Sequence, residues 1–428
     1  MRKILGFSER TLITAIFALF LAVLLILSLG GCSLGNGIAK ADDLGNKVKA
    51  NKVYGKASDN TFISSGADLS LELFKKSITK GENSLISPTS IWLALAMTAN
   101  GAEGDTLKEM EAVLGRGISL EELNNYLYSY VAELPSHKKS SLNIANSIWF
   151  RDEEERLAVE QSFLQKNSDY YKASIYKADF NSPNTLKDIN GWVEDQTKGM
   201  IDKIVDKISD NTIMYLINAI AFEAEWSTIY TKNQVMNGTF KGSDGTQEKV
   251  DFMHSMEYSY IEDSKVTGFI KPYANDSYSF VALLPEEGLK LEDYIEGLTG
   301  EEFLKLINEA STDSVMAVLP KFSYDYKITL NDILAEMGMP SAFDASKANF
   351  SALGKASGGS LYISEVLHKS FISVDEKGTK AGAATKVEIK ESAVMTNKEV
   401  ILNRPFIYAI IDNQTKLPVF IGTVQNVK

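Results

Sequence analysis

One cysteine, Cys32, stands in a chain of 428 residues, so no intrachain disulfide can form and no cysteine pair can hold zinc. Histidine is almost as scarce, with only His137, His254 and His368. The chain has no His-Glu-x-x-His, no Gly-x-Ser-x-Gly elbow to present a nucleophile, and neither of the common glycine-rich phosphate loops. A Ser-His-Asp triad is conceivable with any of the three histidines, but no local pattern builds one. Neither an enzyme nor a cofactor is expected. Dense basic runs are missing too, and the formal charge is −12. Nucleic acid is therefore not expected as a partner, because phosphate binding relies on clustered Lys and Arg.

What is present is enough apolar material for a large core: 44% hydrophobic residues against 23% charged, which excludes global disorder. With no disulfide, stability has to come from packing. The N-terminus reads apart from the rest. Arg2, Lys3 and Arg10 precede an apolar run from Thr11 to Leu29, then Gly30-Gly31-Cys32, the pattern of an export signal. Leu29-Gly30-Gly31-Cys32 resembles a bacterial lipobox, in which the cysteine becomes the lipid-bearing first residue. The alternative is a retained membrane anchor, since the apolar run is long enough to span a bilayer. Residues 33–60 are rich in Gly, Asn, Lys, Asp and Ala and read as a flexible tether. The expected organisation is a signal peptide over 1–31, a tether over 32–60 and a folded domain over 61–428. The protein is expected to be exported and held at the outer face of a bacterial cell membrane through Cys32.

Within the domain, Asp68 to Ile78 has helical apolar spacing. Ser87-Pro88 opens a second helix, closing at Gly101 and apolar nearly all round, so it should be buried. Ser119-x-x-Glu122 reads as a capping box for a helix through about Glu133. Helical patterns recur around 158–170 and 185–206. Strand-like runs include Asn143–Phe150, Thr212–Phe222, Ser277–Leu284, Ser314–Leu319, Phe371–Asp375, Val400–Ile411 and Pro418–Val424. Strands and helices mixed without strict alternation predict an α+β fold.

The most informative stretch is Glu376–Ala393. From Thr379 on, one face carries Thr379, Ala381, Ala383, Thr385, Val387 and Ile389, and the other Lys380, Gly382, Ala384, Lys386, Glu388 and Lys390. That period of two belongs to a half-buried strand, yet Gly and Ala are poor strand formers that suit a loop. A segment patterned as a strand but composed as a loop predicts two states, exposed first and inserted into a sheet afterwards.

Here the residues resemble a known family. Glu-x-Gly-Thr-x-Ala-Gly-Ala-Ala at 376–384 is similar to the hinge of the reactive-centre loop of inhibitory serpins, and Phe371–Glu376 to the strand that feeds it. Further resemblances follow in order: Asn83–Ile91, Asn146–Trp149, Ile217–Phe222 ending at Trp226, Leu319–Phe322, Asn403–Phe406 and Pro418–Gly422. They run from about residue 66 to the C-terminus.

The resemblance implies a serpin fold, with three β-sheets, eight to nine helices and an exposed reactive-centre loop. It implies inhibition of a serine protease by a suicide substrate whose cleaved loop inserts and traps the acyl-enzyme. The hinge would comprise Glu376, Gly378, Thr379, Ala381, Gly382, Ala383 and Ala384. Ser87, Ser90, Asn218 and His368 would form the cluster beneath the central sheet called the shutter, with Trp226 at the top where the loop enters. Family spacing from Glu376 places the cleaved bond at Ser392-Ala393; counting back from Pro405 places it about two residues later. A small residue before the bond suggests elastase-like or subtilisin-like targets, and a monomer is expected. Lys380 departs from the residues usual in the family, but on the outer face it can stay solvated. A non-inhibitory serpin, or a surface lipoprotein with a binding role, is the alternative.

Overall fold

The computed structural model describes residues 41–152, 157–210, 212–356, 360–379 and 398–427. Within them lie nine α-helices, three larger sheets of seven, six and four strands, and a two-stranded ribbon. The mixed α+β architecture is the expected one.

The first helix, α1 (Asn60–Lys76), begins earlier than its apolar spacing suggests. Asp59 sits in extended conformation and its carboxylate accepts from the Phe62 N–H, capping the helix, while Lys75 and Lys76 face the negative end of its dipole. Helix α2 (Pro88–Ala99) is capped by Ser87 with Pro88 in the first turn, and every one of its residues is buried. It packs against strands of both large sheets, which explains why its sequence shows no polar face.

Seven strands make the central sheet: β1 (Asp42–Asp43), β2 (Ser140–Arg151), β3 (Ser174–Ala178), β4 (Met214–Glu225), β5 (Phe322–Thr329), β6 (Glu365–Val374) and β7 (Gly378–Thr379). Their order across the sheet is β1-β3-β2-β4-β7-β6-β5. Strands β2 and β4 pair antiparallel from Ser140↔Ala224 to Phe150↔Met214. Strands β4 and β6 run parallel and pair directly only over Glu365↔Tyr215 to Lys369↔Ala219. Above that, β7 stands between them, antiparallel to both.

Helix α3 (Pro183–Gln196) closes one face of this sheet. Its Ile189 and Val193 are wholly buried in a separate apolar cluster with Trp149, Ile217, Ala219 and Leu367, so the helix lies over the rungs where β4 and β6 still pair. Its pattern was expected to continue to 206, but the helix stops at Gln196. Lys198 and Gly199 both take positive φ, and the Gly199 N–H turns back to the Glu194 carbonyl.

The six-stranded sheet holds the C-terminal hairpin Phe406–Asp412 and Pro418–Val424, buried throughout. The expected strand Val400–Ile411 is two strands. Glu399–Ile401 joins the four-stranded sheet, parallel to Val315–Pro320, and Phe406–Asp412 joins the six-stranded one. Arg404-Pro405 lies between them, and proline cannot donate to a ladder.

Residues 41–59 fall in the stretch whose composition reads as a tether. In the structure they follow the body: β1 pairs with β3, the Lys56 N–H meets the Asn125 carbonyl, and the Asn51 N–H meets Asp169. These are main-chain and short polar contacts, which apolar patterning does not register.

Candidate functional site

At the head of the central sheet, Thr379 has rungs on both sides: Val374 of β6 and Ala224 of β4 are its Cα partners. Its side chain is 2% exposed, and its hydroxyl lies 2.5 Å from the Tyr273 hydroxyl. Gly378 precedes it with its α-carbon against β4. A Cβ there would sit 1.9 Å from the Ala224 carbonyl oxygen, so only glycine fits.

The tight connection from β6 to β7 is made by Asp375–Lys377. The Asp375 carboxylate accepts from the N–H groups of Lys377 and Gly378 at 2.8 and 3.3 Å. The three carbonyls of this turn are all held from one direction. The Trp226 indole N–H donates to Asp375 O at 2.8 Å, the Tyr230 N–H to Glu376 O at 3.0 Å, and the Trp226 N–H to Lys377 O at 2.8 Å. Trp226 is held in turn by stacking on Tyr273, with ring centroids 4.5 Å apart.

Two ion pairs frame the turn. On the outside, Lys321 lies 2.7 Å from the Glu376 carboxylate, and this contact holds the carboxyl below its usual range and the ammonium above its own. Behind it lies a fully buried pair, Lys271 and Glu257, at 2.7 Å, with the Lys271 ammonium 4.5 Å from the Tyr230 ring centre. Burial would push the Lys271 ammonium down; Tyr230 and Glu257 together offset that and raise it.

Further down, four residues expected from the sequence come together. His368 and Asn218 are opposite each other on β6 and β4. The Ser87 N–H donates to His368 Nε2 at 3.1 Å, which makes Nε2 an acceptor and leaves the ring proton on Nδ1 to meet Asn218 Oδ1 at 2.5 Å. The Asn218 amide then donates to the Ser90 hydroxyl and, at 2.5 Å, to Asn146 Oδ1. Each partner's polarity fits the next, and the ring is neutral. Burial pushes the His368 pKa down to about 3. With both nitrogens committed and no exposure, His368 is not placed to act as a general base.

Between these two levels, from Ile220 to Glu223 on β4 and from Ser370 to Ser373 on β6, no rung joins the two strands among the described residues. Below, the pairing Lys369↔Ala219 closes the sheet. Extending the observed register downward from Thr379 would pair Ala381 with Ile372 and Phe222, then Ala383 with Ser370 and Ile220. Thr385 would fall between His368 and Asn218.

Such an arrangement can accept a further strand, one that enters from the top and reaches a polar, re-pairable network after five residues. The family model for serpins, serine protease inhibitors, matches residues 64–427.

This chain belongs to the serpin family.

Among solved structures it is similar to the thermophilic serpin tengpin in its native state, with 54% identity over 90% of this chain and 100% of that one, and a TM-score of 0.88. The same protein in its latent state gives 0.78 at 54% identity, covering 87% and 100% of the two chains. The described fold is thus nearer the native form. Among curated relatives, leukocyte elastase inhibitor of Xenopus tropicalis is 32% identical over 369 residues, 82% of this chain and 96% of its own length. A serpin-like protein of Thermococcus kodakarensis is 32% identical over 369 residues, 83% and 84% of the two chains.

Of the residues singled out from this serpin's sequence, Ser87, Ser90, Asn218 and His368 share one network, and Glu376, Gly378, Thr379 and Trp226 share another. Ala381, Gly382, Ala383, Ala384, Ser392, Ala393 and Cys32 lie outside the described residues. The sequence reading missed Asn146, Tyr230, Tyr273, Lys321 and the Lys271–Glu257 pair as parts of these networks. Asn146 and Lys321 sit within motifs already noted; Tyr273, Lys271 and Glu257 carried no local signal.

Proposed function

We propose that this serpin inhibits a serine endopeptidase by offering residues 380–397 as a substrate and trapping the enzyme after the first chemical step. The protease serine attacks the Ser392 carbonyl, the amine of Ala393 leaves, and the acyl-enzyme stays attached through Ser392. The freed segment then continues β7 downward between β4 and β6, carrying the protease away before water completes hydrolysis.

The observation that carries this reading is the two-residue strand Gly378–Thr379 already seated between β4 and β6, above four rows with no rung between those strands. The side chains that follow on the inward face, Ala381 and Ala383, are small and uncharged. Residues 380–383 fit without breaking a rung. From Ala384 on, each step separates a β4–β6 pair, the first two being Lys369↔Ala219 and His368↔Asn218. The barrier to spontaneous insertion therefore lies at the His368 network.

About ten new ladder hydrogen bonds at ~1 kcal/mol net each would stabilise the inserted form. That is on the order of a whole domain's stability. The native form is then kinetically held, and cleavage releases it. The small Ser392 and Ala393 suit elastase-like or subtilisin-like targets, and lipidated Cys32 would keep the inhibitor at the outer face of a bacterial membrane.

Incubation with subtilisin, pancreatic elastase and trypsin, resolved on denaturing gels, tests the proposal. The expected result is a covalent band at the summed mass with one of the first two, and mass spectrometry locating the cut at Ser392-Ala393. Full cleavage of the serpin with no such band from any of the three would overturn it.

A further inference from the structure

A cavity of about 360 Å³ opens at the edge of the six-stranded sheet, and none of its lining residues belongs to the hinge or to the His368 network. Three elements wall it: the turn at residues 263–265, between strands Tyr260–Glu262 and Val266–Pro272, and the two helices Leu291–Gly297 and Gly300–Asn308. The second helix turns its other face to α1, where a Cβ on Gly300 would meet Ala67 and Asp68. Ile261 and Leu298 give the cavity a buried apolar floor, with the half-buried Leu289 and Leu306 beside them. The volume suits a small molecule rather than a peptide, at the low end of the ~300–1,000 Å³ of ligand sites.

One wall residue is incomplete. Tyr294 is 6% exposed, and its hydroxyl is buried with no hydrogen-bond partner among the described residues. Buried hydroxyls are ordinarily paired, so a lone one in a cavity wall marks the place of a missing partner. The lining is also lopsided in charge. Glu262, Asp263, Asp293, Glu302 and Glu309 stand against Lys265 and Lys305. Burial, and then the charges of Asp263 and Glu302, raise the Tyr294 pKa, so these two carboxylates act on the phenol. Both are fixed by backbone groups. Asp263 accepts from the N–H of Lys265 and Val266 at 2.6 and 2.9 Å, and Glu302 from the Thr299 N–H at 2.9 Å. In each case one carboxylate oxygen makes these bonds and the other is left for a ligand.

We infer that this cavity is a binding site for a small organic amine, with a compact apolar body on Ile261, Leu298 and Leu306 and an ammonium group at Tyr294, Asp263 and Glu302. An ammonium carries three donors and no acceptor, which matches one phenol oxygen and two carboxylate oxygens. Hydrogen bonds from a charged donor to carboxylates are among the stronger ones. A carboxylate-bearing ligand would instead meet like charge, and a bare metal ion would leave the apolar floor unused. The inference stands independently of the inhibitory reading.

Calorimetric titration of the full chain tests this with three amines: tryptamine, 2-phenylethylamine and isopentylamine. Indole-3-propionate and 3-phenylpropionate keep the ring and reverse the charge; ethylamine keeps the charge without the body. At least one of the three amines is expected to bind with Kd below about 1 mM. Each control should be weaker by roughly tenfold or more. Tyr294→Phe removes only the hydroxyl and should weaken the amine about tenfold. Asp263→Asn/Glu302→Gln keeps an acceptor for both backbone contacts while removing the charges, and should weaken it by a similar factor of about ten or more. Gly297 lines the cavity, and a Cβ there would meet no atom within 4 Å, so Gly297→Leu should fill the space and abolish binding. Urea midpoints confirm that each variant is folded. Failure of all three amines to bind overturns the site, as does equal affinity for the carboxylates. Binding that survives both Tyr294→Phe and Gly297→Leu unchanged places the amine elsewhere and overturns it too.

Discussion

Thr379 is a small side chain in a closed place, and its neighbours decide what can replace it. Arginine there would lose the contact with Tyr273 and would have to place a charge in the closed site that Thr379 already occupies between β4 and β6, at a cost of several kcal/mol. Thr379→Arg is expected to turn inhibitor into substrate, with the ratio of cleaved serpin to covalent complex on gels rising at least roughly tenfold. An unchanged ratio would show that the side chain buried at this position does not govern insertion of the segment that follows it. His368 makes a pH prediction. Its folded pKa is near 3 and its unfolded value near 6.5, so below pH 6.5 the unfolded chain binds a proton that the folded one excludes. The stability that neutral His368 provides is complete above pH 6.5 and is lost as pH falls toward 3. By pH 5 the loss is about 2 kcal/mol. Urea unfolding at pH 8 and pH 5 should show this difference, and His368→Gln should shrink it. Ser87, Ser90, Asn218, Glu376, Gly378 and Thr379 could be singled out because each stands in a contiguous motif. Tyr273 and the Lys271–Glu257 pair were not, because their importance comes from which strand ends the fold brings together.

Elements show a similar division. Helix α2 was readable from a cap, a proline and an unbroken apolar run, all local. The extent of α3 was not, because apolar spacing continues through Ile201, Ile204 and Val205, residues that pack on the same cluster without being helical. Burial and helicity share a period there without sharing a structure. The division of Val400–Ile411 between two sheets was equally hidden, since both halves are apolar and only the pairing partners differ. Helix α3 also yields a prediction. Ile189 is wholly buried over Ile217 and Ala219, so Ile189→Ala should cost about 2–4 kcal/mol in urea unfolding. Because α3 covers the rungs that would part in the proposed insertion, the variant should also insert faster once cleaved, seen as an earlier change in tryptophan fluorescence.

For the whole molecule, the proposal concerns two states of one chain. If cleavage near Ser392 adds a strand worth on the order of 10 kcal/mol, the cleaved form must melt later. In a domain this size each kcal/mol moves the midpoint by roughly 1–1.5 °C, so calorimetry should show a rise of at least about 10 °C. An unchanged midpoint would mean that the nicked segment stays out of the sheet.

The grip on Asp375–Lys377 has a practical corollary. Trp226 and Tyr230 hold that turn through carbonyl oxygens, a feature common to all twenty amino acids, so the clasp is blind to what the rest of the arm spells. Machinery and lure are then separable modules: rewriting the letters around residue 392 should redirect the molecule to a different enzyme while the apparatus that swallows the arm runs as before.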